Sequence, residues 1–379
     1  MDIKMSDNVN LYDAVRDVIK GGHILAVYSE SDAIYAENLL RCLVREYRIT
    51  KKVLPTNIDN DMSIVDDIMR CDDDVRLVIS FGGNNMLECT KVATTMMGLG
   101  HIIVLTTPLM LRGESTYIFE NGMLKLRSTV SPKCVLRDNA NLARRAGIEY
   151  VLADMSECML DAFDEVYKGV LGGKGVVEKD RLDNILHIMN STDEGNRQAI
   201  IESTLNVKPP RESITSYIAY EMSRSSDSGR DAHSYKYGLA YTILLLYKGY
   251  IECDGDDLLY PPDIVDSARR ISKMYDIDIS PLVLGYKVMG ASEYMRMRHI
   301  THEYREELLA MLDRCIATME HVSRVYRRVS KDAGYAMYND VSLDSLLESI
   351  GLFSICEGEN TPIRLMKVGG YLERYIGIG

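Results

Sequence analysis

The sequence predicts an α/β N-terminal domain with a parallel sheet plus an all-helical C-terminal domain. Three observations predict it. Strand-like and helix-like patterns alternate up to about residue 140. Strand signals then fade. From there almost to the end, apolar residues recur at helical spacing. A chain of 379 residues is comfortable for two domains, placed at 1–140 and 141–379.

The strand signals are residues 23–28 (HILAVY), 52–54, 77–81, 101–105 (HIIVL) and 134–137. Helical patterns lie between them at 32–46, 63–71 and 87–97. That alternation implies βαβ units, a mostly parallel sheet and right-handed crossovers. Residues 115–127 (STYIFENGMLKLR) differ, because two alternating runs flank Glu120-Asn121-Gly122. Asn-Gly is the strongest short hairpin signal. In the second domain, Leu308, Leu312, Cys315, Met319 and Val322 make one face of a long helix. Pro261-Pro262 interrupts the helices, and Asp263 follows as the next segment starts.

Composition narrows the function classes. Hydrophobic content of 46% and charged content of 26% are ordinary for a soluble globular protein. A net charge of −12 argues against nucleic acid or an anionic membrane as the main partner. An anionic small molecule needs only a local basic pocket. The polar, acidic start lacks the basic flank and apolar core of a signal peptide. The longest apolar stretches, such as 241–247, are too short to span a bilayer. A cytoplasmic location is expected. The eight cysteines, at 42, 71, 89, 134, 158, 253, 315 and 356, form no CxxC pair. Most of them read as small buried hydrophobes in a reducing compartment.

Chemistry first shows at residues 76–93 (RLVISFGGNNMLECTKVA). A β-branched run meets Gly82-Gly83, and a helix-like stretch carrying Lys91 begins at Asn84-Asn85. Paired glycines let the backbone approach a phosphate, and a helix N-terminus offers N–H groups and a favourable dipole. Further signals follow in order: Thr106-Thr107-Pro108, the hairpin, Ser131-Pro132-Lys133-Cys134-Val135-Leu136-Arg137-Asp138, a helical stretch with Asp154 and Glu157, and His233 opening an apolar helix.

This order resembles the superfamily of dehydroquinate synthase, glycerol dehydrogenase, glycerol-1-phosphate dehydrogenase and iron-containing alcohol dehydrogenase. The resemblance spans roughly residues 20–250. The family pattern is GGGSxxDxxK, then PTT, then P-x-x-V-x-x-D, then a metal-binding carboxylate and two metal-binding histidines. Pro132, Val135 and Asp138 match the third element. Gly82, Gly83, Asn84 and Asn85 occupy the pyrophosphate loop, with Asn84 where a third glycine is usual. Glu88 replaces the usual Asp, and Lys91 matches. Thr106 and Thr107 match the threonines of the cofactor cleft, with Leu105 in place of proline.

The resemblance implies NAD(H) or NADP(H), bound in a cleft between two domains. It places the metal carboxylate at Glu157, with Asp154 and Asp161 as nearby alternatives, and one imidazole at His233. Such a set suits zinc or iron, which would polarise a substrate oxygen. The second family histidine has no counterpart near 216–220 or 247–250. The implied catalytic residues are Lys91 and His233. The implied activity is NAD(P)-dependent oxidation or reduction of a small polyol or related hydroxy compound by a homodimer. Two alternatives stay open. One is a dehydroquinate synthase-like lyase that uses NAD transiently, favoured by Glu157 and opposed by Leu160 and the lysine-free stretch 109–115. The other is a non-catalytic nucleotide-binding descendant, favoured by the incomplete histidine set.

Other patterns carry less. Residues 169–175 (GVLGGKG) lack the GxxxxGK[ST] spacing and read as a linker. Residues 224–230 (RSSDSGR) read as a loop. Arg324, Arg327 and Arg328 read as a solvated helix face, and His299 and His302, at i, i+3, as surface residues.

Overall fold

A computed structural model describes residues 4–6, 10–56, 58–107, 114–121, 123–137, 148–176, 179–191, 199–200, 203–204, 207, 213–225, 232–253, 289–329 and 361–372. The chain divides into two compact units. The first is Met1–Val151 with Arg197–Arg211, and the second is Leu152–Asn196 with Glu212–Gly379. The first passage between them falls at 151/152, against an expected boundary after residue 140.

The first unit holds β1 (Lys4–Ser6), α1 (Leu11–Val18), β2 (Gly22–Ser29), α2 (Ala33–Leu40), β3 (Tyr47–Leu54), α3 (Met62–Met69), β4 (Val75–Gly82), α4 (Asn84–Met97), β5 (Gly100–Leu105), β6 (Ser115–Glu120), β7 (Met123–Ser128) and β8 (Cys134–Arg137). Six strands form one sheet in the order β1-β8-β5-β4-β2-β3. Every pairing in it is parallel. Both faces are buried, which is why the central strands read as continuous apolar runs. Leu25, Val27, Val78, Ile103 and Val135 pack with Val65, Ile68, Leu87 and Val92. On the opposite face, Ile24, Ala26, Ile79, Phe81 and Val104 pack with Leu11, Val15, Ala36 and Leu40.

The departures from expectation lie at the sheet edges and helix ends. β3 begins at Tyr47, five residues before its apolar run. It is an edge strand, and Arg48, Lys51 and Lys52 charge it, so composition conceals its length. β1, on the other edge, is three residues long in a polar segment. α2 stops at Leu40, short of the expected 46. β6 and β7 pair antiparallel as expected, and Asn121 takes the positive φ of 53° that the turn demands.

In the second unit every element among the described residues is helical. α5 (Ile148–Leu171) starts in the first unit and runs into the second. α6 (Asp180–Asn190), α7 (Ile214–Ser225), α8 (Ala232–Glu252), α9 (Ala291–Glu303), α10 (Arg305–Val329) and α11 (Pro362–Val368) follow. α8 packs against α7 and α10. Phe163 of α5 meets Tyr247 of α8 with ring centroids 5.9 Å apart. The Tyr167 and Thr301 hydroxyls, 2.7 Å apart, join α5 to α9. Leu308, Leu312, Cys315, Met319 and Val322 are all fully buried on α10, as their spacing requires. The segment 169–175 ends α5 and continues through Gly173 and Gly175, both at positive φ. Pro261, Pro262 and Asp263 lie outside the described residues, as do Pro108 and Asp138. No helix among the described residues is long and apolar enough to cross a membrane.

One buried polar pair joins neighbouring strands. Ser80 Oγ of β4 and His101 Nε2 of β5 are 2.7 Å apart. Burial, reinforced by the charge of Lys91, pushes the His101 imidazole down to about 3. The unfolded chain therefore takes up this proton near pH 6.5 and the folded chain only near about 3. In that window the unfolded state binds more protons, so acidification destabilises the fold by about 1.4 kcal/mol per pH unit through this group. Asp161 acts oppositely, because burial raises its carboxyl from 3.8 to about 6 and the folded state then holds the extra proton. The difference between wild type and His101→Gln isolates the imidazole. Urea unfolding from about pH 7 to about pH 4 should show wild type losing stability faster than the variant; parallel losses would exclude a neutral buried His101.

Candidate functional site

The sheet order creates a crevice. β2 leads to β3 on one side, and the chain then returns to β4 on the other side of β2. The crossovers diverge between β2 and β4, and open α/β sheets bind ligands outside the carboxyl ends of such strands. Tyr28 and Phe81 are paired there, so β2 ends at Ser29 beside Gly82.

Gly82-Gly83 turns the chain from β4 into α4. Gly82 has φ +156°, and a Cβ on it would run into Met86 Cε and lie 3.3 Å from Asp32 Oδ2. Gly83 is the N-cap of α4, and a Cβ on it would lie 3.3 Å from Thr107 Oγ1. The turn is thus bare backbone at the start of a 14-residue helix, whose first N–H groups have no intrahelical partners. Thr107 Oγ1 is buried and has no hydrogen-bond partner among the described residues. An orphaned hydroxyl facing a bare glycine fits a bound cofactor. Asp32 is also buried here and accepts a hydrogen bond from Ser29 Oγ at 2.7 Å.

Several of the other residues expected at this loop are engaged by groups of the protein. Asn85 Nδ2 donates to the Ile58 carbonyl at 2.8 Å, so that side chain holds the chain ahead of α3. The side chain of Asn84 lies outside the described residues. Thr106 is buried, and its N–H donates to the Gly82 carbonyl at 3.4 Å. Lys91, expected to be catalytic, is 0% exposed. Its Nζ donates to the Ser115 carbonyl at 2.8 Å and lies 3.5 Å from Glu88 Oε2. In that placement Lys91 ties the start of β6 to α4.

In the second unit, three helices bring a buried ionic cluster together. Asp154 and Glu157, one turn apart on α5, face Lys236 of α8. Lys236 Nζ lies 3.1 Å from Asp154 Oδ1 and 2.7 Å from Glu157 Oε2. Ser216 of α7 donates to Glu157 Oε1 at 2.6 Å. All four side chains are buried. Glu157, expected to ligate a metal, therefore has an ammonium on one oxygen and a hydroxyl on the other. A divalent ion bound there would face a like charge in a low-dielectric site. This donor set, as arranged, does not fit a zinc or iron ion. His233 stands in the first turn of α8, three residues before Lys236, and its side chain lies outside the described residues. His299 and His302 are exposed on α9. Sequence reasoning passed over Lys236 and Ser216. The missed signal was a lysine inside the apolar run HSYKYGLAYTILLLY, since a charge in such a run requires a buried partner.

One further group has metal-like spacing among the described residues: His23, Asp72 and Asp74. It lies at the amino ends of β2 and β4, opposite the glycine turn. Arg48 already pairs with Asp72 at 2.9 Å and Asp74 at 3.3 Å, and the His23 nitrogens bond Asp74 and Thr50. These contacts satisfy the group internally.

The duty assigned to Lys91 is testable. Lys91→Met should destabilise the protein by about 3–5 kcal/mol in urea unfolding, because it strands a buried carboxylate. The Glu88→Gln/Lys91→Met pair should recover part of that loss. Unchanged stability in Lys91→Met would exclude the positioning role.

No protein-family model matches the sequence, and no curated protein matches it. Solved structures do match. The substrate- and cofactor-free aldehyde reductase YqhD from E. coli is 10% identical with a TM-score of 0.55, covering 99% of this chain and 97% of that one. An iron-containing alcohol dehydrogenase from Corynebacterium glutamicum is 11% identical with a TM-score of 0.50, covering 96% and 97%. A mutant of an archaeal alcohol dehydrogenase from a Red Sea brine pool is 11% identical with a TM-score of 0.50, covering 92% and 96%. The chain has the fold of the iron-containing alcohol dehydrogenases, as its motif order implied.

Proposed function

We propose that this protein is an NAD(P)-dependent oxidoreductase acting on a small polyol or a related hydroxy or carbonyl compound. The observation that carries the reading is the bare Gly82-Gly83 turn at the β2/β4 switch point, with the orphaned Thr107 hydroxyl against it. The backbone N–H groups at the start of α4 would hold the pyrophosphate. Thr107 Oγ1 would donate to the dinucleotide. Asp32 would accept from ribose hydroxyls, and its carboxylate would repel a 2′-phosphate, which favours NAD(H) over NADP(H). The bound nicotinamide would supply the hydride chemistry. The names of two similar structures, an alcohol dehydrogenase and an aldehyde reductase, support the same class.

A second reading has one observation of its own. Lys236 engages both carboxylates of the second unit, which favours a nucleotide-binding descendant without turnover. Steady-state NAD⁺ reduction across a panel of polyols separates the two.

The nucleotide site has a direct test. Gly83 has φ −103°, an ordinary value, so a side chain there strains nothing in the backbone but crowds Thr107. Gly83→Val should weaken NADH binding at least about tenfold in a fluorescence titration, equivalent to about 1.4 kcal/mol, with an unchanged melting temperature. Equal affinity in wild type and variant would move the nucleotide away from this turn.

A further inference from the structure

We propose that Lys236 is this protein's resident cation, standing where a metal-dependent relative would hold a divalent ion, so that the site in the second unit needs no metal. The argument begins with the carboxylates. Asp154 and Glu157 are one helical turn apart and both are buried, at 4% and 3% exposure. Two such groups repel each other, and burial of either as an anion requires a compensating charge. A divalent ion can provide it, and so can an ammonium. Here the ammonium does. Lys236, itself 4% exposed, reaches both carboxylates at 3.1 and 2.7 Å. Ser216 donates to the other oxygen of Glu157.

The two cations exclude each other. An ion on Glu157 Oε2 would sit about 2.0–2.2 Å from that oxygen. With Nζ 2.7 Å from the same oxygen, ion and ammonium would be at most about 4.9 Å apart. Like charges that close in a buried site repel strongly. Metal binding would need Lys236 to withdraw or lose its proton, and either change leaves the packing around α8 with an unfilled or neutralised stem. The difference from a metal site is also chemical. A metal can be stripped by a chelator, whereas a covalently held ammonium cannot.

Wild-type protein purified without chelators should contain substoichiometric zinc and iron by mass spectrometry. Its melting temperature should be unmoved by EDTA or by added ZnCl2. Lys236→Ala should melt roughly 5–15 °C lower. ZnCl2 should then raise the variant's melting temperature, because a dication can settle between the two bared carboxylates. Lys236→Arg, which keeps the charge, should stay close to wild type. Stoichiometric metal in wild type, with a melting temperature that falls on EDTA treatment, overturns the proposal. So does an equal zinc response in wild type and Lys236→Ala. The wild-type measurements decide the question even if the variant does not fold. NADH binding is read separately, so failure of the oxidoreductase reading leaves no mark on these outcomes.

Discussion

A parallel sheet has to bury both faces, and much of the first unit follows from that constraint. Hairpins cannot link parallel strands, so each strand must hand over to a crossover that covers the sheet. Covering two faces sends some crossovers one way and some the other. Where they part, between β2 and β4, the carboxyl ends of the strands leave a crevice. Gly82-Gly83 sits at that opening and begins α4. Hydrophobic burial therefore places the polar site: Ile24 and Leu25 drive opposite faces into the core, and the strand that carries them ends beside the turn.

The second unit spends its polar groups differently. Lys236, Asp154, Glu157 and Ser216 link α5, α7 and α8 through contacts that only one arrangement of three helices satisfies. A cluster of this kind is weak evidence for stability, since apolar side chains of similar volume would often do as well or better. What it does provide is a penalty for mispacking, because any shift of α8 strands a charge. Lys91 behaves similarly in the first unit, where an ammonium with no exposure fixes the hairpin to α4. Two buried lysines thus carry positional information that leucines could not.

The legible parts of the fold were those with a strong local period. Residues 23–28, 77–81 and 101–105 stood out because both faces of their strands are buried. Asn121 announced the hairpin, and the stripe from Leu308 to Val322 announced a long helix. β1 and most of β3 were obscure, since edge strands carry charges that suppress the apolar signal. The site divided along the same line. Gly82 and Gly83 were legible as a turn because a strand signal ends on them and a helix signal begins, and Thr107 because it ends the next strand signal. Lys236 and Ser216 were not, because their role exists only when helices about 60 and 80 residues beyond Glu157 fold back onto it, and a lysine in an apolar run does not say which carboxylate it meets.

The discontinuity of the first unit bears on how the protein is made. The chain leaves that unit after Val151, returns for Arg197–Arg211, and leaves again. A ribosome delivers residues in order, so the first unit cannot be completed until residue 211 has emerged. By then all of α5 and α6 is already outside the exit tunnel, α5 without its partner α8 and α6 without its partner α10. A nascent chain of this protein therefore exposes sticky helices while it waits for a strand-rich neighbour to close. The two units are distinct in their contacts but interleaved along the chain.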